Sequence, residues 1–528
     1  MARVGASKNG PSSAGQAEVI AFLSDPHSYP VVDRVERMET HGNVVFLAGK
    51  EAWKLKRAVD FAYMDFSTLE KRHAACVREV AINQRFGSPL YLDCLPIVRS
   101  RAGTLAFGRD GEIVDWTVHM RRFDQAALLS NIARRSGIAK ALATELADVV
   151  YAAHQAAQRA VTDSGTTSLR RLNTSVARAL ARSAIACADL EGLETRLRAQ
   201  IDSAADTLNE RARNGFVRRC HGDLHLANII EWEGRPALYD AIEFDEAIAT
   251  VDTLYDLAFL LMDLDCHNQR PAANVVLNRY LWRSGEPLDF RGLSALPLFL
   301  ALRAAVRAMV SADRAAQKTC HAGESDLAMA RGYLRAVLDY LRAQPPWLIA
   351  IGGWSGTGKS TVAAKLACEF GRAPGAVHLR TDLERKRLAG AREFERLPAS
   401  AYSAAARGSI YQAVRDKARW LLTAGHSLIV DAVFAEQDQR EKIEALAAEL
   451  GVPFRGLWLY ANPETLLERV AHRRKDASDA TPDVVSRQLG VDPGQFTAQW
   501  TRIDAGGSLR QTRAAASTAL KAFARSIS

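Results

Sequence analysis

Apolar and polar positions alternate over two short runs near the start of the chain, Val44–Leu47 and Trp53–Lys56, with Gly49-Lys50 between them. The spacing predicts two strands around a tight turn. A helical pattern follows, in which Ser67 and Glu70 have capping-box spacing and Gly87-Ser88-Pro89 supplies the stop. Val114–Phe123 reads as another strand. From Asn131 to about Arg213 the spacing is helical and rich in Ala, Leu and Arg, with a polar break at Thr162–Thr167. Phe216–Cys220 is a short strand, and Asp252–Ala343 is again mostly helical.

Gln344-Pro345-Pro346 changes the pattern. Adjacent prolines end the preceding helix and stiffen the connection. Beyond them, Trp347–Ile351, Ala376–Arg380, Leu428–Val430 and Leu457–Tyr460 are short apolar runs, each followed by a helical stretch. That alternation predicts a parallel sheet covered on both faces.

Composition narrows the class. With 528 residues, 48% hydrophobic and 24% charged, the chain reads as several ordinary globular domains. The net charge of +9 comes without a block of consecutive basic residues, so it is read as solvated surface, and nucleic acid is the disfavoured partner. Seven dispersed cysteines without C-x-x-C spacing argue against disulfide or thiolate-zinc scaffolds and fit a reducing cytoplasm. The pairs Cys220-His221, Cys266-His267 and Cys320-His321 are read as non-metal positions, because adjacent side chains diverge. Ala2–Gly15 lacks an apolar signal core, and residues 1–30 are expected to form a disordered tail. The runs around Leu257–Leu264 and Leu296–Val310 are too short, or interrupted by Arg303 and Arg307, to be expected to span a membrane.

Two motifs carry chemistry. His221-Gly222-Asp223-Leu224-His225-Leu226-Ala227-Asn228 has the H-x-D-x-x-x-x-N spacing of kinase catalytic loops. Asp223 is suited to accept a hydroxyl proton, and Asn228 offers a neutral oxygen to Mg²⁺. His221 is expected to orient the loop. The second motif, Gly353-Trp354-Ser355-Gly356-Thr357-Gly358-Lys359-Ser360, follows an apolar strand and precedes a helix beginning near Thr361. That is the setting of a P-loop, in which backbone N–H groups wrap phosphates. Lys359 is the β/γ-phosphate lysine and Ser360 a Mg²⁺ ligand. Asp431, ending an apolar strand, is the candidate Walker B acid. Ala432 follows it, so the acid pair of many motors is missing and transfer to an acceptor is favoured.

Residues from about Val31 to Ala343 resemble the aminoglycoside phosphotransferase-like family. The match rests on His221–His225, Leu238–Phe244 and Tyr255-Asp256-Leu257-Ala258. The resemblance implies an α+β protein-kinase-like bilobal domain over 31–343. It implies that Asp256 braces the catalytic loop, and that Asp240 binds metal, with Glu243 as second ligand and rival. It also implies a phosphate-binding lysine paired with a helix glutamate. Lys54 and Lys56 alternate with Trp53 and Leu55 and so share one side of a strand. Lys54–Glu79 is the expected pair, with Lys56 as competitor. A G-x-G-x-x-G loop is absent, which argues against a protein kinase, and His119–Phe123 would be the adenine-contacting hinge strand.

Residues 347–528 resemble P-loop small-molecule, polynucleotide and zeta-toxin-like kinases, implying an α/β P-loop NTPase domain with a parallel sheet. By that resemblance Gly353–Thr361 bind nucleotide, Asp382 is the general base and Arg385 holds the acceptor. Arg473, with Arg469 and Arg474 on one predicted helix, would neutralise the transferring phosphoryl group. Trp354 inside the loop is unusual. The expectation is an ATP- and Mg²⁺-dependent phosphotransferase with two sites, acting on hydroxyls of small molecules. Alternatives are one catalytic and one nucleotide-sensing domain, or a P-loop half that phosphorylates nucleic-acid 5′-hydroxyl ends. Acceptor identity and oligomeric state are not readable from these motifs.

Overall fold

Six strands that leave one face to each of two helices open the architecture. The computed structural model describes residues 12–40, 42–61, 64–187, 190–317, 320–473 and 476–527. Strands Val35–Glu39 (β1), Asn43–Ala48 (β2), Glu51–Lys56 (β3), Tyr91–Arg99 (β4), Leu105–Phe107 (β5) and Glu112–Arg121 (β6) form one sheet in the order β1-β2-β3-β6-β4-β5. All its pairings are antiparallel. Along β3 the side chains alternate as the sequence predicts. Trp53 and Leu55 join Phe46 and Ile97 in one apolar cluster. Ala52 joins Val118 and Met120 in the other, with Cys76 and Val80 from helix α2, Leu69–Arg85. Lys54 and Lys56 fall on this second face.

The first cluster is closed by helix α1, Ser12–Ser24, whose Val19 and Leu23 are buried in it. The expected disordered tail over 1–30 is therefore corrected from Ser12 onward, while residues 1–11 lie outside the described residues. Gln16 explains part of the order. Its Nε2 donates to the Lys56 carbonyl at 2.8 Å and to Asp115 at 3.1 Å, and its Oε1 accepts from Ala58 N at 2.7 Å. The capping of α2 is also shifted: Thr68 accepts from Lys71 N at 3.3 Å, while Ser67 bonds Asp65.

By contact density the chain divides into two compact units, Met1–Asp163 with Ala212–Leu260, and Ser164–Arg211 with Leu261–Ser528. The first has the protein-kinase-like arrangement. Its sheet is followed by the helix Lys140–Ala156, the pair Val217–Arg219 (β7) with Thr250–Asp252 (β10), and the hairpin Ile229–Trp232 (β8) with Arg235–Leu238 (β9).

The second unit holds the α/β P-loop fold. Leu348–Gly353 (β11), Val377–Arg380 (β12), Leu428–Asp431 (β13), Phe454–Tyr460 (β14) and Trp500–Asp504 (β15) form an all-parallel sheet in the order β12-β13-β11-β14-β15. Ile349, Ile351 and Leu457 pack on Val362 and Leu366 of helix Lys359–Ala367, and on Ala516 and Leu520 of the last helix. Helix Arg270–Ser284 from before the prolines covers the edge strand β12. Its Asn274 donates to the Ala376 carbonyl at 3.0 Å, and Asn278 Oδ1 accepts from His378 N at 2.6 Å.

Among the described residues one helical stretch, Pro287–Ala316, is long and apolar enough to cross a membrane by length and composition, despite Arg303 and Arg307. Of its most apolar window, 72% is buried within the fold. Arg303 is itself buried there.

Candidate functional site

The first site is assembled on β3, α2 and the loops after β7 and β9. Lys54 Nζ lies 2.7 Å from Glu79 and 2.5 Å from Asp240. Lys56 Nζ reaches the other Glu79 oxygen at 2.5 Å and also pairs with Glu243. Two buried ammonium groups thus share three carboxylates. Burial would drive the Lys54 proton off, but Asp240 and Glu79 outweigh it and hold its pKa well above the usual lysine value. Burial also opposes ionisation of Glu79, and the two lysines overcome this and lower it to about 2. For Glu243 burial wins, and its pKa is raised despite Lys56.

This geometry separates the paired alternatives. Lys54 touches the open acid, Asp240, whose side chain is 43% exposed, whereas Lys56 and Glu243 form an enclosed pair. Asp240 also sits at φ +59°, a left-handed conformation that costs a non-glycine residue about 1–3 kcal/mol. Neighbours fix it there: Tyr91 Oη accepts from Asp240 N at 3.1 Å, and Asn83 Oδ1 accepts from Ala241 N at 3.2 Å.

The catalytic loop is held from behind. Asp256, fully buried, accepts from Gly222 N at 2.9 Å and His221 N at 3.3 Å, and His154 Nε2 lies 3.2 Å from it. That is the brace expected of Asp256. Gly222 has φ +85°, and a Cβ there would meet Ala249 at 3.0 Å, so the glycine is sterically required. His221 Nε2 lies 3.0 Å from the Tyr239 carbonyl, and its Nδ1 accepts from Asp223 N at 3.4 Å. The network assigns the neutral tautomer with the proton on Nε2, and burial lowers the His221 pKa in agreement. His221 orients the loop.

Asp223 is positioned by two neighbours. Asn228 Nδ2 donates to Asp223 Oδ2 at 2.8 Å, and His225 Nε2 stands 3.3 Å from the same oxygen. His225 Nδ1 accepts from Ala227 N at 3.2 Å, which puts the His225 proton on the Nε2 facing Asp223. The sequence reading gave His225 no role; its position two residues after the aspartate was the available signal.

A cavity of about 800 Å³ opens in the same unit. Met38 and Leu47 line it from the sheet, Arg121–Phe123 from the segment leaving β6, and Trp232 from the β8 end. It lies beside the expected hinge segment, with an apolar part from Met38, Leu47, Leu92, Phe123 and Trp232 and a charged rim that includes Glu36, Lys50 and Arg122. Leu47 and Trp232 were missed, because an apolar strand residue carries no chemical signature. The His119 ring stacks on Trp53 at 4.0 Å, on the face of the sheet that carries Trp53 and Leu55.

The P-loop follows β11. Gly353, Gly356 and Gly358 have φ of +136°, +91° and +84°. A Cβ on Gly356 would come within 2.7 Å of the Leu466 carbonyl. The helix begins at Lys359, two residues earlier than expected. Burial lowers the Lys359 pKa against the opposing charges of Asp431 and Asp382. Its Nζ donates to the Trp354 carbonyl at 2.9 Å, and Ser355 N donates to Gln488 Oε1 at 2.9 Å. The Trp354 ring is buried edge-on against Trp458, 5.5 Å between centroids, so Trp354 serves the loop through its backbone.

Around Asp431 the charge is positive. Burial would raise its pKa, but His378, Arg380 and Lys359 lower it to about 2. His378 Nε2 is 3.4 Å and Arg380 Nε 3.7 Å away. Asp382 lies in the first turn of helix Thr381–Leu388. Arg385 donates to the Ala401 carbonyl at 2.9 Å and stacks over Tyr402 at 4.6 Å. Lys386, unremarked in the sequence, pairs with Asp479 at 2.7 Å, and Tyr402 Oη donates to Asp479 at 2.5 Å.

The arginine group is corrected. Helix Pro463–Ala471 ends before Arg473, because Arg473 N already bonds Val470 O in a tightened turn. Arg469 is committed to the carbonyls of Ala505 at 2.7 Å and Gly507 at 2.9 Å. Arg473 is 3.7 Å from Asp476, which itself pairs with Arg380 at 3.2 Å. Arg474 lies outside the described residues.

Oxygen donors of the kind a hard divalent cation prefers are present in both places: Asp240 with Asn228, and Asp431 with Ser360. The paired buried histidine and cysteine, His154 and Cys220, approach Asp256 closely, but that aspartate already accepts two backbone donors.

Residues 348–491 match a family described as AAA domain. Over 497 residues the chain is 30% identical to the protein Rv2004c of Mycobacterium tuberculosis, covering 91% of this chain and 94% of that one. The Mycobacterium bovis protein Mb2027c matches to the same extent, 30% over 497 residues. Among solved structures, a gluconokinase from Sinorhizobium meliloti is similar to 34% of the chain, covering 95% of that protein at 20% identity and TM-score 0.27. A choline/ethanolamine kinase family protein from Mesorhizobium loti is similar to 62%, covering 100% of that protein at 14% identity and TM-score 0.37.

Proposed function

The chain belongs to the family of the mycobacterial protein Rv2004c and joins a protein-kinase-like fold to a P-loop kinase fold; from that premise we propose that it is an ATP- and Mg²⁺-dependent phosphotransferase with two nucleotide sites. Each site transfers the γ-phosphate to a hydroxyl group of a small molecule. The observation that carries this reading is a lysine among carboxylates in each half: Lys54 is buried and paired with Glu79 and Asp240, and Lys359 at the start of the P-loop helix lies in the field of Asp431 and Asp382.

In the first site Asp223 aligns the acceptor hydroxyl and takes its proton, held in orientation by Asn228 and His225. Lys54 holds α- and β-phosphate oxygens, and Glu79 keeps its ammonium in place. Asp240 and Asn228 would hold Mg²⁺. In the second site the Gly353–Thr361 backbone cradles the phosphates, Lys359 reaches the β/γ pair, and Ser360 and Asp431 would hold Mg²⁺. Asp382 takes the acceptor proton there, with Arg385 as an acceptor contact and Arg473 as the phosphoryl-neutralising group. The cation, when bound with ATP, supplies charge neutralisation at the transferring phosphoryl group.

The test is a phosphorylation screen of a small-molecule extract by mass spectrometry, comparing wild type with Asp223→Ala and Lys359→Ala. Each variant should lose its own phosphorylated products. If ATP turnover and product pattern are untouched in both, the two-site reading fails. A second reading, in which the P-loop half senses nucleotide and regulates, is supported by the packing of helix Arg270–Ser284 onto β12 within one unit. It predicts nucleotide binding at Lys359 without acceptor-dependent turnover.

A further inference from the structure

The second unit contains an open cavity of about 770 Å³ that shares no lining residue with either site. It lies among the ends of helices Thr253–Cys266 and Cys320–Tyr340, helix Leu296–Ala316, and the segment Arg372-Ala373 that follows the P-loop helix. Its charged lining is four arginines, Arg270, Arg335, Arg342 and Arg372, against two aspartates, Asp265 and Asp339.

Both aspartates are already answered. Tyr340 Oη donates to Asp265 at 2.9 Å, and Arg342 pairs with Asp339 at 3.2 Å. Three arginines remain without a carboxylate partner among the described residues. Arg270 donates only to the Gly371 carbonyl, at 3.1 Å, and its buried Nε meets no acceptor. The buried Nε of Arg372 likewise meets none, and burial lowers the pKa of its guanidinium. Partly desolvated guanidinium groups without counter-charge are costly, and a planar fork of donors suits phosphate oxygens. Pro297, Leu300, Met329 and Tyr333 supply an apolar and aromatic part of the wall, beside the polar His267, Asn268 and Gln344.

We propose that this cavity binds a phosphate ester, its phosphoryl group held by Arg270 and Arg372 with Arg335 at the mouth, and its organic part against Tyr333 and Leu300. The site is separate from the P-loop and from the Asp223 loop.

The probe is phenyl phosphate, titrated calorimetrically into the full-length Lys54→Ala/Lys359→Ala variant, in which the lysines of both nucleotide sites are removed. Saturable binding is expected there, and adding Arg270→Gln and Arg372→Gln should weaken it at least tenfold. Arg335→Gln, an exposed substitution that leaves the fold alone, should weaken it about threefold. Absence of binding in the Lys54→Ala/Lys359→Ala protein, shown folded by a cooperative thermal melt, overturns the proposal, as does absence of binding in the Lys359→Ala single variant. So does binding that is unchanged by Arg335→Gln and by the paired arginine substitutions.

Discussion

Replacing Lys56 by methionine removes one cation from a buried cluster of two lysines and three carboxylates. Lys56 is fully buried and bonds both Glu79 and Glu243, which are buried as well. The cluster changes from a net charge of −1 to −2, and Glu243 loses the ammonium paired with it. Deleting one partner of a buried pair typically costs about 3–5 kcal/mol, because the remaining charge stays desolvated. For a unit of this size each kcal/mol corresponds to about 2–4 °C in Tm, so a fall of about 6–20 °C is expected. The pH dependence has a definite sign. In the wild type Glu79 is lowered to about 2, so its contribution is present above the unfolded glutamate pKa and is lost as pH falls toward 2. Glu243 is already raised, and losing Lys56 raises it further, so its protonation relieves the variant as pH falls. The Tm gap between variant and wild type should therefore narrow from pH 8 to pH 5. Adding Glu243→Gln should restore much of the loss. Differential scanning fluorimetry across that range is the assay. A Lys56→Met protein melting within 2 °C of wild type on this scale, or a double variant less stable than the single, refutes the buried-pair reasoning.

Asp431→Asn should destabilise by roughly 2 kcal/mol at neutral pH, since the acid is lowered from 3.8 to about 2. That contribution is present above about pH 4 and lost as pH falls through 2, so urea titrations at pH 7 and pH 3 should give a large and a small difference respectively. Asp223→Asn should lower acceptor-dependent kcat by about 10²-fold or more while nucleotide affinity holds, as separate turnover and binding measurements would show. Gly356→Ala should abolish nucleotide binding at the P-loop and cost about 1–3 kcal/mol, because φ +91° and a Leu466 carbonyl 2.7 Å from the new Cβ both oppose it; calorimetric titration with the Asp223 site disabled tests this.

Which parts of this were legible depended on whether a residue's job leaves a local trace. The side of β3 that carries Lys54 and Lys56 was readable because a strand repeats every two residues. The glycine pattern of the P-loop was readable because only glycine fits its backbone angles. β1 was not, since Val35–Glu39 is an edge strand with four exposed residues and no buried face to impose alternation. Helix α1 was not, because its small polar start looks like a tail and its order comes from Gln16 reaching residues 40 to 99 positions away. The roles of Lys56 and Glu243 were equally hidden. Sequence spacing admits either lysine and either acid, and only the fold shows that one pair is enclosed while Asp240 faces outward.

The proline boundary raises a deeper point about why two phosphoryl-transfer motifs share a chain. Gln344-Pro345-Pro346 separates the two family patterns, yet the helices from Leu261 onward belong to the same compact unit as the P-loop. The physical cause is the exposed rim of a parallel sheet. β12 is an edge strand, and unpaired edges invite association unless something covers them. Here Asn274 and Asn278, one helical turn apart, supply the missing partners to Ala376 and His378. Arg279 pairs with Glu393 at 2.6 Å, and Trp282 donates to the Leu383 carbonyl at 3.2 Å, extending the contact to helix Thr381–Leu388 and the segment after it. His378 in turn faces Asp431. The layer behind Asp431 and the helix of Asp382 is thus built from residues on both sides of the prolines. A P-loop half cut at Pro346 would expose that edge and lose the Asn278 bond to His378, so the parallel sheet depends for its architecture on the helix Arg270–Ser284 that precedes the prolines.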